Sequence, residues 1–323
     1  MYIFETDLME QHYTMADAIQ DIKRTLKAKA EGFIESPERT VLDVKKQNAS
    51  ALYMPCCNLQ SEMASVKIIS VFPNNPAKGL ATSQGIIILT DLKDGQHVAT
   101  LEASYLTRLR TGALSAIATD RFAKKDANCL AVIGTGAMAL EQVMGVSEVR
   151  TLEKIFLYNR SIEKAQKFKE ILIAKGLQAE ITICESADEA TRQASIINCA
   201  TRSNTSVIHK DAIKPNTHIN AVGSYLPDMR EVDTDLIIKE NQIIVDDLVG
   251  VKHEAGEFIA AVESGQISWN NIYATLEDVV TNSELKKNSS ITIFKSVGAA
   301  YFDLAVAEGV YKKLHSQSKE ITL

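Results

Sequence analysis

Residues 131–140 read AVIGTGAMAL. An apolar run over 130–133 leads into Gly134-Thr135-Gly136, and a helical pattern follows with Ala139 at the third fingerprint position. The reading is a buried strand, a tight turn and a helix start. Gly134 permits the turn, Gly136 lets the backbone approach a pyrophosphate, and Ala139 keeps helix and strand close. A helix N-terminus then turns free N–H groups and a positive dipole end toward phosphates. Such a glycine pattern is weak alone. The apolar run before it, the helix after it and a second strand on schedule make it a dinucleotide site rather than an ordinary strand–turn–helix.

Downstream, strands and helices alternate. Strands are expected at 155–158, 179–184, 196–200, 218–222 and 242–245, with helices at 162–175 and 187–193. This rhythm predicts an α/β fold with a Rossmann-type, doubly wound parallel sheet. The residue that grips the adenine ribose lies about 20 positions past the glycines. There the chain reads Leu157-Tyr158-Asn159-Arg160-Ser161. No carboxylate stands ready for a ribose 2′-hydroxyl, and Arg160 suits a 2′-phosphate. NADP(H) is favoured on these residues and NAD(H) is the alternative.

Upstream the pattern differs. After a strand at 2–4, Thr14-Met15-Ala16-Asp17 resembles a capping box, and Met15, Ile19, Ile22 and Leu26 follow at helical spacing. Strands are expected at 39–44, 51–54, 63–69, 83–91 and 97–102, with Asp94-Gly95 as a hairpin turn. These residues predict a second α/β domain with a mostly antiparallel sheet. A helix over 106–122 links it to the glycine turn. After a strand at 291–294, an amphipathic helix begins near Val297, with Ala300, Leu304, Ala307 and Val310 on one face, and returns to the first domain. The expected organisation is a substrate domain of 1–118 with 297–323 and a Rossmann domain of 119–296.

The chain has 323 residues, 46% hydrophobic and 24% charged, with a net charge of −6. That balance is ordinary for a globular protein and gives no basic footprint for nucleic acid. No apolar run approaches the roughly 18 residues that would span a membrane, and the acidic N-terminus is unlike a signal peptide. The five cysteines show neither a disulfide framework nor zinc spacing, so a cytoplasmic location is expected.

Candidate chemistry lies in cations. Arg39, Lys67, Arg108 and Arg110 occur in the first domain, with Lys67 inside the apolar strand SVKIISVF. Arg110 is read as opening a helix at Leu109-Arg110-Thr111-Gly112. Convergent cations suit a substrate carboxylate, cofactor phosphates, or both. There is no nucleophile elbow and no metal-ligand spacing among the six histidines, so nucleophilic and metal mechanisms are disfavoured and no metal is expected.

Along almost its whole length the chain resembles the ornithine cyclodeaminase/mu-crystallin family. The residues that carry the resemblance are Met54-Pro55, Lys67, Ala81-Thr82, Glu102-Ala103, Leu109-Arg110-Thr111 and Gly134-Thr135-Gly136-Ala137, then Ile219-Asn220-Ala221-Val222-Gly223, Pro227-Asp228, Arg230-Glu231 and Phe294-Lys295-Ser296-Val297-Gly298. The resemblance implies an N-terminal α/β domain that dimerises, joined by the C-terminal helix, with a Rossmann domain between. It implies that Arg39, Lys67 and Arg110, with Met54 beside them, hold the substrate carboxylate. It implies that Lys67 and Asp228 are catalytic. Thr82, Arg110, Thr111, Gly134, Gly136, Ala137, Met138, Asn159, Arg160, Ala200, Thr201, Val222, Gly223 and Ser296 are then expected along the dinucleotide.

Three positions depart from the cyclodeaminases. Leu52 stands where they have a carboxylate, Tyr225 where they have a catalytic aspartate, and Asn159 where an acidic residue usually meets NAD. A diamino acid needs such carboxylates for its distal amine. Val222-Gly223-Ser224-Tyr225-Leu226-Pro227-Asp228 instead resembles the ketimine-reductase branch, which includes Δ1-pyrroline-2-carboxylate reductases. The expectation is hydride transfer to the imine carbon of that substrate. Ornithine cyclodeamination and alanine- or opine-type dehydrogenation are alternatives within the family. A non-catalytic ligand-binding protein is the alternative outside it.

Overall fold

The glycine turn heads the longer of two compact units in the computed structural model, which describes residues 1–238, 241–317 and 319–320. The first unit is Met1–Arg110 with the chain from Ala299 onward, and the second is Thr111–Gly298. The sequence had placed these divisions at 118/119 and 296/297.

The first unit opens with β1 (Tyr2–Phe4), α1 (Thr6–His12) and α2 (Met15–Ala30). Thr14 caps α2 as expected: its hydroxyl accepts from Asp17 N, and the Asp17 carboxylate accepts from Thr14 N at 2.8 Å. Such a cap contributes about 1 kcal/mol. β2 (Ile34–Glu35), β3 (Thr40–Val44), β4 (Ala49–Asn58), β5 (Met63–Val71), β6 (Ser83–Asp91) and β7 (His97–Glu102) follow, and α3 (Ala103–Phe122) leaves the sheet. The β4–β5–β6–β7 ladder is antiparallel, while β1 joins β7 in parallel. The pleat sorts side chains into rows. Met54, Lys67 and Ile87 lie opposite one another on one face, and Tyr53, Ile68 and Ile86 on the other. The first row is buried, so Lys67 belongs to the covered side of its strand.

In the second unit come β8 (Cys129–Ile133), α4 (Ala139–Ser147), β9 (Lys154–Tyr158), α5 (Ile162–Ala174), β10 (Glu180–Ile183), α6 (Ala187–Gln193), β11 (Ile196–Cys199), β12 (His218–Ala221), β13 (Gln242–Val245), α7 (Leu248–Glu254), α8 (Gly256–Glu263), β14 (Ala274–Thr275), α9 (Leu276–Thr281) and β15 (Thr292–Lys295). All pairings are parallel, in the order β10-β9-β8-β11-β12-β15-β13-β14. Alternate residues of β8 feed two cores. Leu130 and Val132 pack with α4 and α5, while Ala131 and Ile133 pack toward α6, α7 and α8. That continuous apolar strand is what a sheet covered on both faces requires.

A polar rib crosses this apolar interior. Asn220 Nδ2 donates to Asn198 Oδ1 at 2.8 Å and to Thr119 Oγ1 at 3.0 Å. Asn220 Oδ1 then faces His218 Nε2, and His218 Nδ1 faces the Thr292 hydroxyl. This assignment puts the imidazole proton on Nε2 and leaves Nδ1 an acceptor. Burial pushes His218 down to about 3, so the ring is neutral.

The chain closes with α10 (Ala300–Leu314) and β16 (Lys319–Glu320), which pairs with β1. Helix α10 lies against α2, β4, β5 and β6 in the first unit, as the sequence predicted. It is not amphipathic: every residue from Ala300 to Val310 is buried, Asp303 and Glu308 included. A second correction concerns Arg110. It lies well inside α3, which starts at Ala103 with the Glu102 carboxylate accepting from Ser104 N and Tyr105 N. No helix N-terminus exists at Arg110 to help it hold an anion.

Candidate active site

Two of the expected cations meet at a carboxylate that the sequence reading missed. Lys67 Nζ donates to Asp303 Oδ2 at 2.6 Å, and Arg110 Nε forms an ion pair with Asp303 Oδ1 at 3.4 Å. All three side chains are buried, with Lys67 at 2% exposure and Asp303 at 1%. Two positive charges therefore share one negative charge away from water. Among the described residues, Lys67 has this single hydrogen bond and Arg110 has none, so N–H donors on both remain available. Donors placed in this way can accept a second carboxylate.

The electrostatics agree. Burial pushes the Lys67 ammonium down to about 8. The Asp303 carboxylate works against that shift, and the Arg110 and Arg39 charges add to it. Arg39 thus bears on the same group, from its half-buried position just before β3. Met54 stands beside Lys67 in register across β4 and β5 and is buried. Arg108 instead lies within 3.9 Å of Glu10. Thr82 is half-buried at the entry to β6, where its carbonyl accepts from Phe72 N at 2.7 Å.

The second unit holds the dinucleotide candidates. Gly134 adopts φ +89°, a conformation that favours glycine, and a Cβ on it would meet Thr201 Cγ2 at 2.9 Å and Ala200 O at 3.0 Å. A Cβ on Gly136 would meet nothing within 4 Å, so the turn is open on that side. The N–H groups of Gly136, Ala137 and Met138 donate to nothing among the described residues, and α4 has no side-chain cap. The Thr135 hydroxyl is buried without a partner there. Open space, three free N–H donors and an orphaned hydroxyl are what a pyrophosphate needs, and a nicotinamide dinucleotide fits.

Asn159 is occupied locally. Its Oδ1 accepts from Thr135 N at 3.3 Å and its Nδ2 donates to Ser161 O at 3.1 Å, bracing the glycine turn. Arg160 is exposed, with no hydrogen bond or ion pair among the described residues. The remaining candidates line the C-terminal ends of the strands. Ala200 and Thr201 follow β11, Val222 and Gly223 follow β12, and Ser296 follows β15. The Ser296 hydroxyl donates to Asp246 Oδ2 at 2.7 Å, which also accepts from Gly298 N at 2.7 Å. Thr111 is buried on α3. Asp228 is exposed in the turn after Pro227, and Tyr225 is half-buried.

Sequence reasoning missed Asp303 and Glu257, set Asp246 aside as a strand-end carboxylate, and named Glu231 and Lys295 only as carriers of the resemblance; the structure buries all five. A signal existed for the first. A carboxylate inside AYFDLAVAEGV has no solvent face to occupy, and a buried charge implies a partner.

The family model for the ornithine cyclodeaminase/mu-crystallin family matches residues 3–318. A Δ1-pyrroline-2-carboxylate reductase of Bacillus cereus is 36% identical over 280 residues, covering 86% of this chain and 86% of that protein. The structure of the Thermococcus litoralis Δ1-pyrroline-2-carboxylate reductase in complex with NADH and L-proline superposes with a TM-score of 0.94 at 34% identity, covering 99% of this chain and 100% of that chain. An archaeal alanine dehydrogenase dimer with bound NAD gives a TM-score of 0.91 at 29% identity, covering 100% of this chain and 99% of that one. The fold, the glycine turn and these matches agree: the chain belongs to the ornithine cyclodeaminase/mu-crystallin family.

Proposed function

We propose that this protein is a nicotinamide-dependent oxidoreductase that reduces a cyclic imine carboxylate, Δ1-pyrroline-2-carboxylate, to L-proline. The observation that carries this reading is the buried Lys67–Asp303–Arg110 cluster, with donors left over for a carboxylate. It sits in a chain related along its length to reductases of that substrate. Lys67 and Arg110, with Arg39, hold the substrate carboxylate beside Met54 and so orient the ring.

A bound nicotinamide supplies the hydride for the imine carbon. As that C–H bond forms, the C=N pair retreats onto nitrogen, so the nitrogen must first carry a proton. Lys67, with its ammonium near neutrality, is the proton donor. Asp228, which the resemblance makes a catalytic candidate, is exposed and without a partner among the described residues. No nucleophile is required, and orientation with electrostatics carries the rate. Leu52 and Tyr225 offer no carboxylate to a distal amine, which favours the imine over ornithine. The five free cysteines suit a reducing compartment such as the cytoplasm.

The cofactor preference rests on two observations. The solved relatives described above hold NADH and NAD. In this chain Asn159 is spent on the glycine turn and Arg160 is free, so nothing repels a 2′-phosphate. The site therefore takes NAD(H) and, through Arg160, NADP(H). The proposal extends to a homodimer through the first unit. The row Tyr53, Ile68 and Ile86 faces away from the buried row, with Tyr53 36% and Ile86 41% exposed. An apolar sheet face of this kind suits a second copy of the chain.

Five outcomes are expected. Purified protein oxidises NADH or NADPH with Δ1-pyrroline-2-carboxylate; faster ammonia release from ornithine, or faster turnover of pyruvate with ammonia, would overturn the assignment. The kcat/KM for the imine falls above a pH of about 8 as Lys67 loses its proton. In Asp303→Asn the opposing charge is gone, so this limb moves to lower pH by roughly 1–3 units; an unmoved limb would sink the role of Lys67. Arg160→Ala raises KM for NADPH about tenfold or more, the loss of one charge-assisted contact, and leaves NADH unchanged; equal effects on both would remove Arg160 from the 2′ site. Light scattering gives a dimer mass for the wild type and a monomer for Tyr53→Asp/Ile86→Asp, and a wild-type monomer would refute the interface.

A further inference from the structure

Four charged or polar side chains that the proposed chemistry does not use are gathered beneath the strand ends of the second unit. Glu231 is fully buried, and both its oxygens are taken by two different loops. Oε1 accepts from Thr201 N at 2.5 Å and Thr201 Oγ1 at 2.9 Å, after β11. Oε2 accepts from Gly223 N at 2.6 Å and Ser224 N at 3.0 Å, after β12. Burial, with the Glu257 charge nearby, pushes the Glu231 carboxyl above the usual carboxylate range, and the Lys295 ammonium and the Thr201 N–H work against that shift. Gly223 has no room for a Cβ, which would collide with the Thr201 backbone and the Glu231 carboxylate.

The second loop is held again from β15. Lys295 Nζ donates to Ser224 O at 2.6 Å, to Ser224 Oγ and to Glu257 Oε1 at 3.1 Å, and Ser224 Oγ donates to Glu257 Oε1 at 2.7 Å. All three donors of the ammonium are used, and neither Lys295 nor Glu257 is exposed. The chain of contacts also reaches the phosphate turn, because Thr201 packs against Gly134. One set of buried groups therefore fixes the ends of β11, β12 and β15 relative to the turn after β8.

Position in the sheet says what those ends are for. Ligands of open parallel sheets lie outside the carboxyl ends of the strands, at the point where strand order reverses. Here that point is β8, with β9 on one side and β11 and β12 on the other. The adenosine half belongs to the β9 side, where Asn159 and Arg160 stand. The other half of a dinucleotide must rest on the loops after β11 and β12.

We propose that Glu231 is the positioning residue for the nicotinamide half of the cofactor, setting the two loops on which that half rests, with Lys295 and Glu257 anchoring the second loop. The inference rests on the dinucleotide reading of this unit and not on the identity of the substrate. Calorimetric titration of the full chain with NADH and with ADP-ribose, which lacks the nicotinamide, tests it without turnover. Glu231→Gln presents an amide donor to four donors. It should weaken NADH at least about tenfold and leave ADP-ribose within about twofold. Thr201→Val, which removes one of the four contacts, should weaken NADH less. If Glu231→Gln fails to fold, Glu231→Asp keeps the charge but is too short to reach both loops, and the same criterion applies. Equal weakening of both ligands, or of neither, overturns the proposal, and so does a wild type that binds neither. Failure of the wild type to reduce the imine would overturn only the substrate reading.

Discussion

A buried carboxylate between two buried cations holds the first unit of this protein together. Removing an ion from water costs several kcal/mol even after relaxation, and deleting one partner of a buried pair costs about 3–5 kcal/mol. Lys67 and Arg110 therefore depend on Asp303, and Asp303 is carried by α10. That helix is buried from Ala300 to Val310. It is a central element of the first unit, and its acidic residue is aimed inward. Two positive charges here stand against one negative.

The second unit solves the converse problem. Its strand ends present backbone N–H groups in loops that must hold their shape without a helix or ladder to fix them. Buried carboxylates accept those donors: Glu231 at Thr201, Gly223 and Ser224, and Asp246 at Val297 and Gly298. The sheet beneath is stiffened by the Asn198–Asn220–His218 rib, whose neutral histidine adds no charge to the interior. Precision at the surface of the sheet is thus supported by polar groups below it, each with its partners supplied.

What was legible in the sequence follows the range of the interactions. The turn at Gly134-Thr135-Gly136 is a local backbone feature, and so are the capping box at Thr14 and the alternating strands around Lys67. The parallel sheet was readable because β8 is apolar throughout and strands alternate with helices after it. Arg110 was misplaced within its helix because the start of α3 is set by Glu102, a side-chain cap that hydrophobic spacing does not reveal. Asp303 was missed because its partner lies 236 residues away, and Glu231 because its meaning depends on two loops brought together only by the sheet. Arg39, Lys67 and Arg110 could be named as cations. Their shared counter-charge could not be seen until the fold joined the two ends of the chain.

That joining bears on how the molecule is made. The second unit is one uninterrupted stretch, Thr111–Gly298, whereas the first needs α10, which follows Gly298 in the chain. On a ribosome adding about 5–20 residues per second, every strand of the parallel sheet has been synthesised before Asp303 emerges. Until then Lys67 and Arg110 lack the charge that lets them be buried, and the covered face of the antiparallel sheet lacks its helix. The first unit is therefore completed after the second. A chain cut short before α10 would carry the whole of the second unit and an unfinished first one.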